Sequence, residues 1–121
     1  MILVDTSVWV QHLRVGDPEL ARLLDRALVL GHPFVTGELA LGSIPRRAEL
    51  LGLLERLPSA SVARHSEVMQ LIDNEGLAGS GIGYVDACLL ASARLTPDAL
   101  FWTRDRRLNA VALRVGVAFP I

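Results

Sequence analysis

The sequence predicts an α/β domain in which a central, mainly parallel sheet of four to five strands has helices on both faces. Three observations lead to this prediction. The length of 121 residues suits one compact domain, residues 1–121, and not two. The hydrophobic fraction of 51% and the charged fraction of 21% are typical of a globular chain. Short apolar runs alternate with helical patterns, which indicates βαβ units with parallel strands.

The first elements are predicted to be a buried strand and two helices. Residues 1–4 (MILV) form a continuous apolar run, as expected of a strand that is buried on both faces. Residues 6–13 follow as a short helix. Asp17 and Pro18 combine an N-cap residue with a proline at the first helical position, which predicts a helix over 18–30.

The middle of the chain is predicted to alternate between short strands and helices. Residues 33–36 (PFVT) are a strand candidate, and residues 38–42 a short helix. Leucines recur at helical spacing over 46–57, between two prolines. Residues 61–63 are a possible edge strand, and residues 66–75 have the apolar stripe of an amphipathic helix.

The last third of the chain begins with its clearest loop, because residues 76–83 contain four glycines. The following helix, 84–95, has almost no polar face and is therefore expected to be buried. A strand over 99–103, a helix over 106–115 and a strand over 117–119 complete the predicted sheet.

Charge and cysteine content exclude several classes of protein. All 12 basic residues are Arg. A P-loop, a phosphoryl-accepting receiver site and a small phosphatase site would each use a lysine and are not expected. The single cysteine, Cys88, cannot form an internal disulfide and is expected to be a small core residue, which fits a cytoplasmic protein. Uncharged runs are too short for a membrane-spanning helix, so no membrane association is expected.

Four of the 13 acidic residues do not fit a solvated helix face. Asp5, Glu38 and Asp105 each follow the carboxyl end of a different predicted strand, and in an open parallel sheet those ends form the ligand crevice. Asp86 lies in the apolar helix, where an unpaired carboxylate would be costly. The glycine-rich loop before that helix lets Asp86 lie at the same crevice.

Each acid also has a simpler explanation. Asp5 and Asp105 could be N-caps, Glu38 could favour the positive end of its helix, and Asp86 could pair with an arginine. If the four converge at ~5 Å, each ionised pair repels by ~3 kcal/mol at an effective dielectric of ~20. Six pairs would approach ~20 kcal/mol, more than the ~5–15 kcal/mol by which a domain is stable. Such a cluster must take up protons or a cation, and all-oxygen ligands favour Mg²⁺ or Mn²⁺.

Four motifs resemble those of PIN-domain ribonucleases, and in particular the VapC-type toxins of bacterial toxin–antitoxin pairs. They occur in order along the whole chain: MILVDTSVW at 1–9, TGELA at 36–40, DACLLA at 86–91 and FWTRD at 101–105. The resemblance implies a PIN-like three-layer α/β/α fold and an endoribonuclease that depends on Mg²⁺ or Mn²⁺. It also implies the toxin of a type II toxin–antitoxin system, which inhibits translation until a VapB-type antitoxin binds it.

The resemblance assigns a role to individual residues. The four-acid catalytic and metal site maps onto Asp5, Glu38, Asp86 and Asp105. By the same resemblance, Asp5 and Asp86 are the leading metal ligands. Thr103 matches a hydroxyl that orders the site beside the fourth acid, and Thr6 matches a small hydroxyl after the first. Arg107 stands where many PIN domains carry a further acid, so we expect one metal ion and leave a second open.

The charge around the site favours RNA as the substrate. Without the four acids the net charge changes from −1 to +3. Three arginines flank Asp105 at the predicted crevice, where they could contact phosphates: Arg104, Arg106 and Arg107. Few aromatic residues are free to stack on bases, so folded RNA such as tRNA or rRNA, recognised by shape and backbone, is favoured over single strands.

Partners and competing functions complete the predictions. The leucines of 46–57 and 66–75 favour a symmetric homodimer, with ordinary core packing as the alternative. The alternative function is a non-catalytic PIN-like module that binds RNA or protein, although four retained acids favour the enzyme. Metal-free cleavage by His12, His32 and His65 is disfavoured because no acid–base motif surrounds them.

Overall fold

The computed structural model describes residues 1–120 and contains, within them, three strands and seven helices. The strands are β1 (Ile2–Val4), β2 (Val29–Leu30) and β3 (Leu100–Trp102). The helices are α1 (Thr6–Val15), α2 (Pro18–Asp25), α3 (Pro33–Leu41), α4 (Arg47–Arg56), α5 (His65–Asn74), α6 (Tyr84–Leu95) and α7 (Arg106–Arg114). A parallel sheet flanked by helices confirms the predicted α/β class.

The sheet has the order β2-β1-β3, and both strand pairs are parallel. Ile2 pairs with Val29 on one side and with Leu100 on the other, which makes β1 the central strand. All three residues of β1 are buried, as its unbroken apolar run predicts. The carboxyl ends of the three strands therefore lie along one edge of the sheet, which is where an open parallel sheet carries its ligand site.

Helix α6 has more buried residues than any other helix within residues 1–120. Seven consecutive residues of this helix, 87–93, are buried, and α6 contacts both β3 and α5. Trp9 and Trp102, at 1% and 2% exposure, are core residues, and Cys88 is buried within α6 as predicted. Each helix within residues 1–120 is too short or too polar to span a lipid bilayer.

The prediction of a strand at 33–36 is wrong, because these residues form the first turn of α3. Pro33 occupies the first helical position and His32 is the N-cap, with its Nδ1 accepting from Phe34 N at 3.1 Å. The predicted helix over 18–30 is also too long. It ends at Asp25, Ala27 adopts a positive φ of 56°, and Val29–Leu30 becomes β2.

The predicted number of four to five strands is too high for residues 1–120. Instead of a strand at 61–63, a single parallel bridge joins Gly31 to Ser59. Instead of a strand at 117–119, a single bridge joins Phe101 to Ala118. Both bridges lie at the edges of the sheet and have no second consecutive pair. Ala118 falls within the predicted strand 117–119, whereas Ser59 precedes the predicted strand 61–63, which does not form.

Candidate metal centre and nuclease site

Asp5 lies directly after β1 and is held by two hydroxyl groups. Asp5 N donates to Trp102 O at 2.9 Å, which fixes the backbone against the end of β3. Ser7 Oγ and Thr103 Oγ1 donate to the same carboxylate oxygen, Asp5 Oδ2, at 2.8 and 2.7 Å. Asp5 occupies the N-cap position of α1, but its side chain makes no cap hydrogen bond. The capping alternative therefore does not explain this buried carboxylate.

Glu38 reaches the same region from α3. Thr6 Oγ1, on α1, donates to Glu38 Oε1 at 2.7 Å. Glu38 is the sixth of the nine residues of α3, so an interaction with the positive end of that helix is not the reason for its position. It was predicted to follow a strand at 33–36. The structure instead places it on the helix that follows β2, at the same edge of the sheet.

Asp105 follows β3 and is the N-cap of α7. Its Oδ1 accepts from Leu108 N at 3.0 Å, which confirms the capping alternative for this residue. Asp105 N donates to Thr103 Oγ1 at 3.1 Å. Because that same threonine hydroxyl donates to Asp5, Thr103 links the first acid to the fourth.

Asp86 lies in the first turn of α6, as the glycine-rich loop predicted. Its Oδ2 accepts from Gly83 N at 3.3 Å. Burial raises the pKa of the Asp86 carboxyl, against the opposing effect of that hydrogen bond. The negative charges of three neighbours raise this pKa further: Asp5, Asp105 and Glu38. The effect of these charges on Asp86 indicates that the four predicted acids share one electrostatic environment.

No arginine neutralises this group of acids within residues 1–120, where the ion pairs all involve other acidic residues. The four carboxylates do not lie close enough together to form a complete set of metal ligands. In the described part of the chain, no three His, Cys, Asp or Glu side chains lie close enough together to hold a metal ion as they stand. Each of the four carboxylates instead accepts a hydrogen bond from a hydroxyl or a backbone N–H.

The three predicted RNA-contacting arginines differ in their surroundings. Arg104 forms an ion pair with the buried Asp17, the N-cap of α2. Burial alone would raise the pKa of Asp17, but the hydrogen bonds from Leu20 N and Arg104 lower it below its usual range. Arg107 lies against Gly81, whose added Cβ would come within 2.6 Å of the arginine side chain. Arg106 is exposed at the start of α7.

The three histidines occupy separate structural positions. His12 Nδ1 accepts from Asp17 N at 3.0 Å, and His65 Nδ1 lies 2.6 Å from the hydroxyl of Tyr84. His32 is buried, and its Nε2 lies 3.0 Å from Ser92 Oγ. Each imidazole is thus engaged in a local structural contact, which gives no support to the metal-free cleavage route.

Two features of this region were not predicted from the sequence: the contacts of Ser7 and the ion pair between Asp17 and Arg104. A hydroxyl two residues after a strand-end acid is a weak sequence signal for the first. The second could not be found without the fold, because Asp17 and Arg104 are 87 residues apart.

Comparison with known proteins agrees with the architecture described above. The PIN domain family matches residues 2–113. Two relatives named Ribonuclease VapC32, from Mycobacterium tuberculosis strains CDC 1551 / Oshkosh and ATCC 25618 / H37Rv, are each 49% identical over 118 residues. The match covers 98% of this chain and 95% of each relative. The chain therefore belongs to the PIN-domain family and is similar to VapC ribonucleases.

Proposed function

We propose that this protein is an endoribonuclease that depends on Mg²⁺ or Mn²⁺ and hydrolyses RNA phosphodiester bonds at its four acidic residues. The observation that carries the proposal is that burial, and in addition the negative charges of Asp5, Asp105 and Glu38, raise the pKa of the Asp86 carboxyl. Four acids that repel one another at a strand-end crevice, with no arginine beside them in residues 1–120, are the environment that attracts a divalent cation.

The donor set fits a hard ion. Asp5 and Asp86 are the leading ligands. Glu38 and Asp105 are exposed carboxylates, and each uses one oxygen in its hydrogen bond with Thr6 or Leu108 N and has a second oxygen to offer a cation. Only oxygen donors are present among these residues, which favours Mg²⁺ or Mn²⁺ over Zn²⁺. When bound, such an ion supplies the Lewis acidity that activates water and stabilises charge on the phosphoryl oxygens.

The chain's own residues prepare the site for this chemistry. Thr103 orients Asp5 and supports the backbone of Asp105, and Thr6 holds Glu38 near the end of β1. These hydroxyls donate hydrogen bonds without adding positive charge, so the site keeps its negative potential. Arg106 and Arg107 lie at the start of α7, where their side chains are exposed and can contact RNA phosphates.

Similarity to ribonucleases named VapC supports a place in a toxin–antitoxin pair. We propose that the protein acts in the cytoplasm as a toxin that inhibits translation by cutting structured RNA, tRNA or rRNA, until a VapB-type antitoxin covers its site.

A homodimer through α4 and α5 fits the partly exposed Leu53 and Met69, at 37% and 41%. Sedimentation of the purified protein at a mass of two chains would support the dimer, and a mass of one chain would contradict it.

RNA cleavage tests the proposed activity. Purified wild type, Asp5→Asn and Asp73→Asn are incubated with total RNA, either with Mg²⁺ or with EDTA. Asp73 is an exposed aspartate on α5 and serves as the matched control. The wild type and Asp73→Asn should cut RNA only with Mg²⁺, and Asp5→Asn should leave the RNA intact.

Two outcomes would contradict the proposal. Equal cleavage by wild type and Asp5→Asn would place the activity elsewhere or in a contaminant. RNA that stays intact with the wild type but is retained by it in a binding assay would favour the alternative, a non-catalytic PIN-like module.

A further inference from the structure

The hydroxyl of Ser7 joins the ends of the two longest strands of the sheet. Ser7 Oγ donates to Asp5 Oδ2 at 2.8 Å and accepts from Arg104 N at 3.0 Å. It also lies 3.3 Å from Thr103 Oγ1. Ser7 belongs to the first turn of α1, yet none of these three contacts is with another residue of that helix.

These contacts use one oxygen of Asp5 and leave the other free. Thr103 Oγ1 donates to the same Oδ2 at 2.7 Å, so two hydroxyl donors converge on one carboxylate oxygen. Oδ1 makes no hydrogen bond within residues 1–120. The one side-chain polar atom there that is both buried and without a partner is Trp102 Nε1, so Asp5 Oδ1 is accessible to solvent. Two donors on one oxygen restrict rotation of the carboxylate, which presents Oδ1 in one orientation.

We propose that Ser7 is a positioning residue, whose hydroxyl orients Asp5 so that Oδ1 is available to a divalent cation. The inference rests on the proposed function, since it assigns a role toward the metal ion of that same site. Hydrogen-bond partners of this kind commonly orient the ligands of a metal, and their loss lowers metal affinity about 10- to 100-fold. Thr103 supplies one of the two donors and Ser7 the second.

The competing explanation is structural, because Ser7 also satisfies Arg104 N at the end of β3. A structural role would lower the melting temperature of the metal-free protein without changing its affinity for a cation. A positioning role would lower that affinity, and a variant that keeps a hydroxyl would restore it. Ser7→Ala and Ser7→Thr separate the two explanations, since only the second retains the donor.

The experiment is calorimetric titration of the full chain with Mn²⁺ in the absence of RNA, for wild type, Ser7→Ala, Ser7→Thr and Asp5→Asn. We expect Ser7→Ala to bind Mn²⁺ about 10-fold more weakly and Ser7→Thr to remain within about threefold of the wild type. Melting temperatures without metal are recorded for each protein. If Ser7→Ala does not fold, Ser7→Cys replaces it as the variant with a weak donor.

The results distinguish failure of this inference from failure of the proposed function. Wild-type Mn²⁺ affinity in Ser7→Ala, together with loss of binding in Asp5→Asn, would overturn the role of Ser7 and leave the metal site intact. Equal losses in Ser7→Ala and Ser7→Thr would also overturn it, because the hydroxyl would not matter. Wild-type affinity in Asp5→Asn would contradict the proposed metal site itself.

Discussion

Within residues 1–120, the four acids of the candidate site have hydroxyl groups and backbone N–H groups as their hydrogen-bond partners, and not arginines. Thr6, Ser7 and Thr103 each donate to a carboxylate at 2.7–2.8 Å. A neutral donor fixes a carboxylate but leaves its charge in place, whereas an arginine would cancel it. The arrangement therefore leaves the negative charge of these carboxylates in place, as the proposed cation site requires.

At Asp86, the negative charge that the proposed metal site needs should lower the stability of the metal-free protein. Burial and the charges of its neighbours raise the pKa of Asp86, so the ionised form is less favourable in the folded than in the unfolded state. Asp86→Asn removes that charge and can still accept from Gly83 N. We expect the variant to melt a few degrees higher than wild type without metal at pH 7, to gain less from added Mg²⁺, and to lose cleavage.

Differential scanning calorimetry with EDTA and with Mg²⁺ measures both melting shifts, and Asp73→Asn again serves as the control at an exposed site. A metal-free Asp86→Asn that melts below the wild type would show that repulsion among the acids is not significant. Equal Mg²⁺-induced shifts in the two proteins would remove Asp86 from the metal site.

The buried His32 should make the free energy of unfolding depend on pH, independently of the four acids of the candidate site. Burial lowers its pKa, and its Nδ1 accepts from Phe34 N, so protonation is disfavoured in the folded state. The unfolded chain takes up the proton at the ordinary pKa of about 6.5. His32 therefore costs no stability above about pH 6.5, and the free energy of unfolding falls as the pH drops below it, by up to about 1.4 kcal/mol per pH unit.

Urea unfolding of wild type and His32→Gln between pH 5.5 and 7.5 tests this dependence. The difference between the two proteins isolates His32 from the other groups that titrate in this range. Wild type should lose more stability on acidification than His32→Gln. Parallel curves for the two proteins would rule out a depressed pKa at His32.

At the scale of elements, the sequence predicted long periodic helices better than short apolar runs. The limits of α6 were predicted correctly because the glycine-rich loop precedes it and its apolar run is long. Residues 33–36 contain β-branched side chains that suggest a strand, but Pro33 at the first helical position was the stronger signal. The two-residue strand Val29–Leu30 has too few residues for any period to identify it.

The glycine-rich loop before α6 provides a prediction at this scale. Gly79 and Gly81 both have positive φ, 77° and 86°, so alanine at either should cost about 1–2 kcal/mol of stability. Only at Gly81 would the added Cβ meet Arg107, at 2.6 Å. Gly81→Ala should therefore displace Arg107 and weaken binding of a structured RNA, measured by fluorescence anisotropy in EDTA. Gly79→Ala should not.

The matched pair separates the loop's backbone strain from its contact with Arg107. Equal RNA affinities for Gly79→Ala and Gly81→Ala would show that the position of Arg107 does not contribute to RNA binding. If Gly81→Ala does weaken RNA binding through Arg107, adding Arg107→Ala to Gly81→Ala should reduce the RNA affinity little further, because both changes act through the same contact.

At the scale of the whole molecule, parallel topology accounts for the convergence of distant residues. Asp5 and Asp105 follow β1 and β3, which are neighbours in the sheet although they are separated by about a hundred residues of sequence. The rule that strand ends form the crevice was enough to predict this pair. Glu38 was assigned to the site from a wrong strand, while the position of Ser7 and the pairing of Arg104 with Asp17 depend on packing that no local pattern encodes.

The most direct test is a crystal structure of the wild-type protein grown with Mn²⁺, in which anomalous scattering locates the ion without reference to the protein. The four acids should surround one Mn²⁺, with carboxylate oxygens of both Asp5 and Asp86 at about 2.1 Å, as is typical of a hard divalent ion. An ion bound elsewhere, or carboxylates of Asp5 and Asp86 that share no ion at saturating Mn²⁺, would contradict a single metal centre at the end of the sheet.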